Sequence, residues 1–280
     1  MSLKARFEDR EFIADTYALA RGQQASKRLE LQHSLYEHAS QKHLANAGLS
    51  QGQTVCDVGC GTGTILAHLS QTVGPTGHVY ALDVSQAQLI LAQKKASRLP
   101  LRNITFIQED ITLPCHLERE SLDLVYARFL LMHIQTPEKA IHVMKSLLKP
   151  GGVCVSQESI LEEVHASSPY PAIRQYGETL MALAAFLGVD YNIGRRLERL
   201  FEEAGFSRIK IAYHQQPLED LALAKQLLLM GLAEWGPKAI RAGVIKGYEL
   251  EKLRKNILDL PEEQEGASLA IRQAHLIAWK

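Results

Sequence analysis

The chain has 280 residues, 46% of them hydrophobic, and its 31 Lys and Arg are cancelled by 31 Asp and Glu to a formal charge of zero. That balance counts against a protein that grips phosphate backbones, which needs clustered excess cations, so no nucleic-acid partner is expected. The longest apolar runs, 180–189 and 227–233, fall well short of the ~20 residues needed to cross a bilayer, so no membrane span is expected either.

Residues 1–11 are charged rather than apolar, which predicts no secretory signal and a cytoplasmic location. Residues 21–47 are polar with apolar positions at Leu31, Leu35, Ala39 and Leu44, the pattern of a helix packing one face, and Gly48 breaks it. From 54 to 157, short β-branched runs alternate with longer helical stretches, the signature of βαβ units and a parallel sheet. The spacing predicts strands over 53–58, 78–82, 104–107, 122–126 and 152–157, with helices over 62–71, 85–98 and 137–148. Thr136 reads as an N-cap before Pro137 and Glu138, and Lys149-Pro150-Gly151-Gly152 as the stop. Beyond this, 159–189 is rich in helix formers with a break at Ser167-Ser168-Pro169-Tyr170-Pro171, and 195–204 reads as a helix closed by Gly205. Residues 207–213 are a strand candidate, 218–258 is helical by composition, and 270–279 reads as a last strand. With no repeat and no long linker, the chain is read as one α/β domain over 1–280. Its parts are a helical cap (1–50), a core (51–158), a helical lid insertion (159–192) and a C-terminal part (193–280) with a helical insertion over 218–258.

Of the cysteines Cys56, Cys60, Cys115 and Cys154, three fall in or beside predicted core strands, so they are read as buried thiols. No second Cys or His pair stands at finger spacing from Cys56 and Cys60, so no metal site is expected.

The chemistry concentrates in Val55-Cys56-Asp57-Val58-Gly59-Cys60-Gly61-Thr62-Gly63-Thr64, a strand running through glycines into a helix. Gly59 and Gly61 let the main chain turn sharply and approach a ligand with no Cβ in the way, while the helix beyond offers free N–H groups. Such a unit binds its ligand at the carboxyl end of the sheet. The G-x-G-x-G spacing departs from the dinucleotide fingerprint, which wants a small residue where Thr64 stands. Asp83 ends the second strand, where a carboxylate can accept both hydroxyls of a ribose, and Asp110 follows the third, where one can accept from an exocyclic amine. Val84 and Ile111 offer apolar faces to a purine. Taken singly, each acid serves equally well as a cap or turn residue.

These residues resemble the class I S-adenosylmethionine-dependent methyltransferases, particularly the small-molecule branch that includes ubiquinone and menaquinone biosynthesis enzymes. The resemblance covers about residues 44–213 and is most specific over 55–63. It implies a doubly wound, mostly parallel seven-stranded Rossmann-like sheet with one antiparallel member and helical insertions. It also implies S-adenosylmethionine as cofactor, S-adenosylhomocysteine as product, and a small-molecule substrate. By position, Asp57 and the backbone of Gly59, Gly61 and Thr62 would hold the methionine part, Asp83 the ribose, and Val84 the adenine, with Asp110 and Ile111 completing the adenine pocket. Arg128 and Phe129, after the fourth strand, would line the site. Tyr17, Arg28 and Gln32 occupy positions that in similar proteins close over the methionine end; a solvated helix face is the plainer reading of each. His133 reads either as a general base on a substrate hydroxyl or as a packing residue.

The resulting expectation is methyl transfer from S-adenosylmethionine to a small, partly apolar molecule by direct displacement. The lid, with Tyr170, Tyr176, Leu180, Met181, Leu183, Phe186 and Tyr191, would shape an apolar pocket. The insertion over 218–258, with Trp235, fits either an extension of that lid or a subunit contact in a homodimer. Where amino-methylases of DNA bases carry an Asn-Pro-Pro-Tyr-like motif, this chain has Ala127-Arg128-Phe129-Leu130. Two other readings stay open on sequence: an NAD(P)-dependent oxidoreductase, disfavoured by Thr64 and by leaving Asp110 without a role, and a non-catalytic S-adenosylmethionine-binding protein.

Overall fold

The computed structural model describes residues 17–19, 23–166, 170–262 and 269–280. The charged segment 1–11 and the Ser167-Ser168-Pro169 break lie outside the described residues. In chain order the elements are α1 (Gln23–Asn46), β1 (Thr54–Val58), α2 (Leu66–Val73), β2 (His78–Asp83), α3 (Gln86–Ala96), β3 (Ile104–Gln108), β4 (Leu122–Arg128) and a 3-10 turn (Leu131–His133). There follow α4 (Pro137–Leu147), β5 (Leu148–Ala166), α5 (Pro171–Leu187), a second 3-10 turn (Ile193–Arg195), α6 (Leu197–Glu203), β6 (Arg208–Leu218), α7 (Leu221–Arg241), α8 (Gly247–Leu258) and β7 (Leu269–Trp279).

The strands form one seven-stranded sheet in the order β3-β2-β1-β4-β5-β7-β6. β1 to β5 are parallel, and β7 runs antiparallel between β5 and β6. This is the doubly wound α/β sheet with one reversed member. Helices on both faces explain why β1, with Val55, Cys56, Asp57 and Val58 all buried, is apolar without alternation. One core places Leu44, Leu66, Leu69 and Leu89 of α1 to α3 against Val55, Val79 and Leu124. The other places α4, α6 and the insertion helices against Cys56, Val58 and Leu122. The strand order reverses between β1 and β4, so their carboxyl ends part and open a crevice, where ligands bind in such sheets.

Several expected boundaries are corrected. Residues 159–166, expected to be helical, continue β5 and pair with β7 as far as Ala166 against Leu269. Glu162 and Glu163 favour a helix, but ladder pairing with β7 and burial of Ile160 outweigh so weak a local preference. The helical part of the 159–192 insertion therefore begins only at Pro171. β6 likewise runs past Tyr213 to Leu218; it is an edge strand, the place where a residue such as Pro217 is tolerated. The stretch 218–258 divides into α7 and α8, with Gly243 in the left-handed region at φ 73° between them. α2 starts at Leu66 rather than Thr62, because the chain is still turning through the glycines. Thr136 makes no side-chain cap bond; Pro137 at the start of α4 needs no donor satisfied there. Among the described residues no helix is long and apolar enough to cross a membrane.

Candidate active site

At the end of β1 the chain turns at Gly59, with φ 71°, and a Cβ there would lie 2.7 Å from Leu130 Cδ1. Only glycine fits both the backbone conformation and the space. The Gly59 and Cys60 amides donate to the Leu82 carbonyl at 2.8 and 3.0 Å, stapling the loop to β2. At the tip of β2, Asp83 accepts from the Gly61 amide at 2.9 Å through Oδ2 and from the Ser85 amide at 2.8 Å through Oδ1. Each carboxylate oxygen keeps further lone-pair capacity.

Asp57 is 3% exposed and lines the crevice, and its Oδ2 has no hydrogen-bond partner among the described residues; the same is true of Thr62 Oγ1. Burial pushes the Asp57 carboxyl up to about 7, with Arg128 opposing and Asp83 adding to the rise. From the end of β4, Arg128 donates to Ser40 Oγ at 3.0 Å and Thr64 Oγ1 at 3.1 Å, and approaches His33 Nδ1 at 3.2 Å. Burial and the Arg128 charge push His33 down to about 4, so its ring is neutral and accepts at Nδ1. Ser40 in turn donates to Gln157 Oε1 at 2.8 Å, which pins α1 across the carboxyl ends of β4 and β5.

Phe129 follows Arg128 with φ 51°, a strained conformation for a residue with a side chain. The 3-10 turn after it is held by Glu158 of β5, whose carboxylate accepts from the amides of Leu130, Leu131 and Met132 at 3.0, 2.8 and 3.3 Å. Burial pushes Glu158 up to about 8, with those three amides opposing. The turn delivers His133 to the crevice, edge-on to Tyr17 at 4.6 Å and to Tyr191 at 5.1 Å between ring centroids.

The crevice continues into a cavity of about 320 Å³ under α1, α5 and α7. Its far wall carries Leu180, Leu227, Leu228, Tyr176 and Tyr191, with Arg28 among them. Arg28 Nε lies 2.9 Å from both carboxylate oxygens of Glu234 in α7, and Nη1 donates to Gln32 at 3.0 Å. Lys238 of the same helix donates to the Tyr17 carbonyl.

A family model described as a methyltransferase domain matches residues 49–205, more than half of the chain. The chain belongs to the methyltransferase family. A 37.1 kDa protein of transposon TN4556 from Streptomyces fradiae is 30% identical over 69% of this chain, which spans 54% of that protein's length. The demethylmenaquinone methyltransferase of Lactococcus lactis is 29% identical over 65% of this chain and 76% of its own. Among solved structures, the YcgJ protein of Bacillus subtilis shares the fold at a TM-score of 0.56 and 15% identity, covering 89% of this chain and 98% of its own. Phosphoethanolamine N-methyltransferase 2 of Haemonchus contortus, solved with S-adenosylhomocysteine, shares it at 0.51 and 16% identity, covering 82% of this chain and 49% of its own.

The residues of the site fit S-adenosylmethionine as the methyl donor. The methyltransferase offers an unpaired buried carboxylate oxygen on Asp57 for an ammonium and a glycine turn that a Cβ would obstruct. Of the residues singled out from sequence, Asp57, Gly59, Gly61, Thr62, Asp83, Arg128 and His133 are brought to one cavity, as are Tyr17, Arg28 and Gln32. Val84, Asp110 and Ile111 are not among its walls. Val84 is 53% exposed, Ile111 packs into the core, and Asp110 Oδ1 accepts from the amide and hydroxyl of Thr112 at 2.8 and 2.7 Å, closing a local turn. Ser85 and Gln88 line the cavity beside Asp83. Sequence reasoning missed Glu158 and Glu234. Glu158 had only a weak signal, a carboxylate in a polar stretch, Ser156-Gln157-Glu158-Ser159, of a strand. Glu234 had none, because its partner lies 206 residues away.

Proposed function

We propose that this methyltransferase moves the methyl group of S-adenosylmethionine to an oxygen, nitrogen or carbon of a small, partly apolar molecule by direct displacement. The observation that carries this reading is the continuity of one cavity, charged and glycine-lined at the strand ends and apolar and aromatic under the helices. S-adenosylmethionine, when bound, supplies a methyl group already activated on a positively charged sulfur. Asp57 accepts from the ammonium of the methionine part, the glycine turn through Gly59 and Gly61 lets the main chain approach its neighbouring atoms, and Arg128 attracts its carboxylate. Asp83 accepts from the ribose hydroxyls. The leucines and tyrosines of the far wall exclude water and align the acceptor with the methyl group, and alignment alone can supply much of the rate. His133 stands where it can take a proton from an acceptor hydroxyl.

A thermal-shift comparison of S-adenosylmethionine, S-adenosylhomocysteine and NAD tests the reading, because a ligand that binds the native state raises its stability. Both adenosyl ligands are expected to raise Tm; stabilisation by NAD alone overturns the assignment. Asp83→Ala should remove the adenosyl shift. His133→Ala should keep S-adenosylhomocysteine binding and lose most turnover, whereas unchanged turnover would discard the base role.

A further inference from the structure

We propose that Arg28 and Tyr191 form the acceptor-recognition pair of the cavity, holding a neutral carbonyl or hydroxyl oxygen carried by a flat apolar molecule. This rests on the reading that the strand-end cradle takes the adenosyl cofactor. Both residues line the cavity, and both are buried, Arg28 to 6% exposure and Tyr191 to 1%. Arg28 uses Nε on Glu234 and Nη1 on Gln32, and its Nη2 has no partner among the described residues. The Tyr191 hydroxyl has none either. Two donors left over in one closed wall define a site for an oxygen acceptor, because buried donors are otherwise almost always satisfied.

The pair belongs to a different part of the cavity from the cofactor cradle. Arg128 touches α1 at Ser40, twelve residues beyond Arg28, about 18 Å at the helical rise. Around Arg28 the neighbours are rings instead: Tyr176 edge-on to Trp235 at 5.1 Å, and Tyr17, His133 and Tyr191 in edge contact. Such walls suit a planar apolar body.

Charge sets the class of oxygen. Glu234 already neutralises Arg28, so a carboxylate or phosphate on the acceptor would bring an uncompensated negative charge into a buried wall, whereas a neutral oxygen brings none. Burial pushes the Tyr191 phenol up, so it remains a hydroxyl and a donor. Its position is fixed, since the Tyr191 carbonyl accepts from Ser159 Oγ at 3.0 Å and from the Leu161 amide at 3.2 Å.

Isothermal titration of the full chain, saturated with S-adenosylhomocysteine, with 1-naphthol, naphthalene and 1-naphthoate tests the proposal. Naphthol should bind about tenfold tighter than naphthalene, the effect of one recovered hydrogen bond to a charged donor, and naphthoate should gain nothing. Tyr191→Phe, which breaks no hydrogen bond among the described residues, should cut the naphthol advantage to about threefold or less and leave S-adenosylhomocysteine affinity unchanged. Equal binding of naphthol and naphthalene, binding of neither, preference for naphthoate, or an undiminished advantage in Tyr191→Phe overturns the proposal. If S-adenosylhomocysteine fails to bind the unmodified chain, the cofactor reading fails and this one with it; if it binds and naphthol shows no preference, this one fails alone.

Discussion

The two ends of the cavity are built by opposite means. The cradle proposed for the cofactor is made from strand ends and the loops directly after them, so Asp57, Gly59, Gly61 and Asp83 follow one another within 27 residues. The wall proposed to face the acceptor is assembled from α1, α5, the loop at Tyr191 and α7, and its central ion pair joins residues 206 apart. Backbone geometry does the work at the first end and side-chain packing at the second. A cradle of backbone tolerates change around it; a wall of side chains stands or falls with each partner.

The sharpest break of that contrast is Glu234→Ala. It strands the Arg28 guanidinium in a wall where both side chains are under a tenth exposed, and should cost about 3–5 kcal/mol in urea unfolding. A loss below 1 kcal/mol would mean that the far wall is as tolerant as the near one. Gly59→Ala tests the other end: the imposed φ and the approach to Leu130 should cost about 1–3 kcal/mol. S-adenosylhomocysteine affinity should fall with it.

The pH dependence is next in size. Asp57 titrates near 7 rather than in the usual carboxylate range, and only its ionised form pairs with an ammonium, so S-adenosylhomocysteine should bind more tightly as pH rises from 6 to 8. The gain should approach tenfold per pH unit below 7, and Asp57→Asn should flatten the profile. Stability without ligand runs the other way. Asp57 and Glu158 both have raised values in the fold, so their contribution is fully present below the usual carboxylate range and is lost as pH rises through about 7 and about 8. Tm measured from pH 5 to 9 should therefore decline, less so in Glu158→Gln. The smallest effect belongs to Asp110→Ala, outside the cavity: stability within about 0.5 kcal/mol and unchanged S-adenosylhomocysteine affinity by calorimetry. A tenfold loss there would return Asp110 to the adenine pocket.

The sheet was legible because βαβ units announce themselves by alternation, and the strand-end residues because a glycine turn has few other uses. Glu162 and Glu163 misled because the pairing that holds them in β5 comes from β7, more than a hundred residues later. Asp110 is ambiguous for a local reason: a short acid at a strand end satisfies its own turn, as Asp110 does with Thr112, as readily as a ligand. Arg28 was visible as a residue but not as half of a pair, since nothing within one helix shows which distant helix will neutralise it.

The length of β5 bears on how α5 is supported. Between Gln157, its last partner on β4, and Ala166 the strand continues for about 30 Å, still laddered to β7. In mechanical terms the strand that leads toward α5 is an arm, laddered to β7. Its elbow is the register shift between Ile160 and Val164, immediately past the Ser159 hydroxyl that touches Tyr191. Bending that arm therefore means flexing a three-stranded beam of β5, β7 and β6 at one irregular joint, and that joint lies beside Ser159 and Leu161 of the cavity wall.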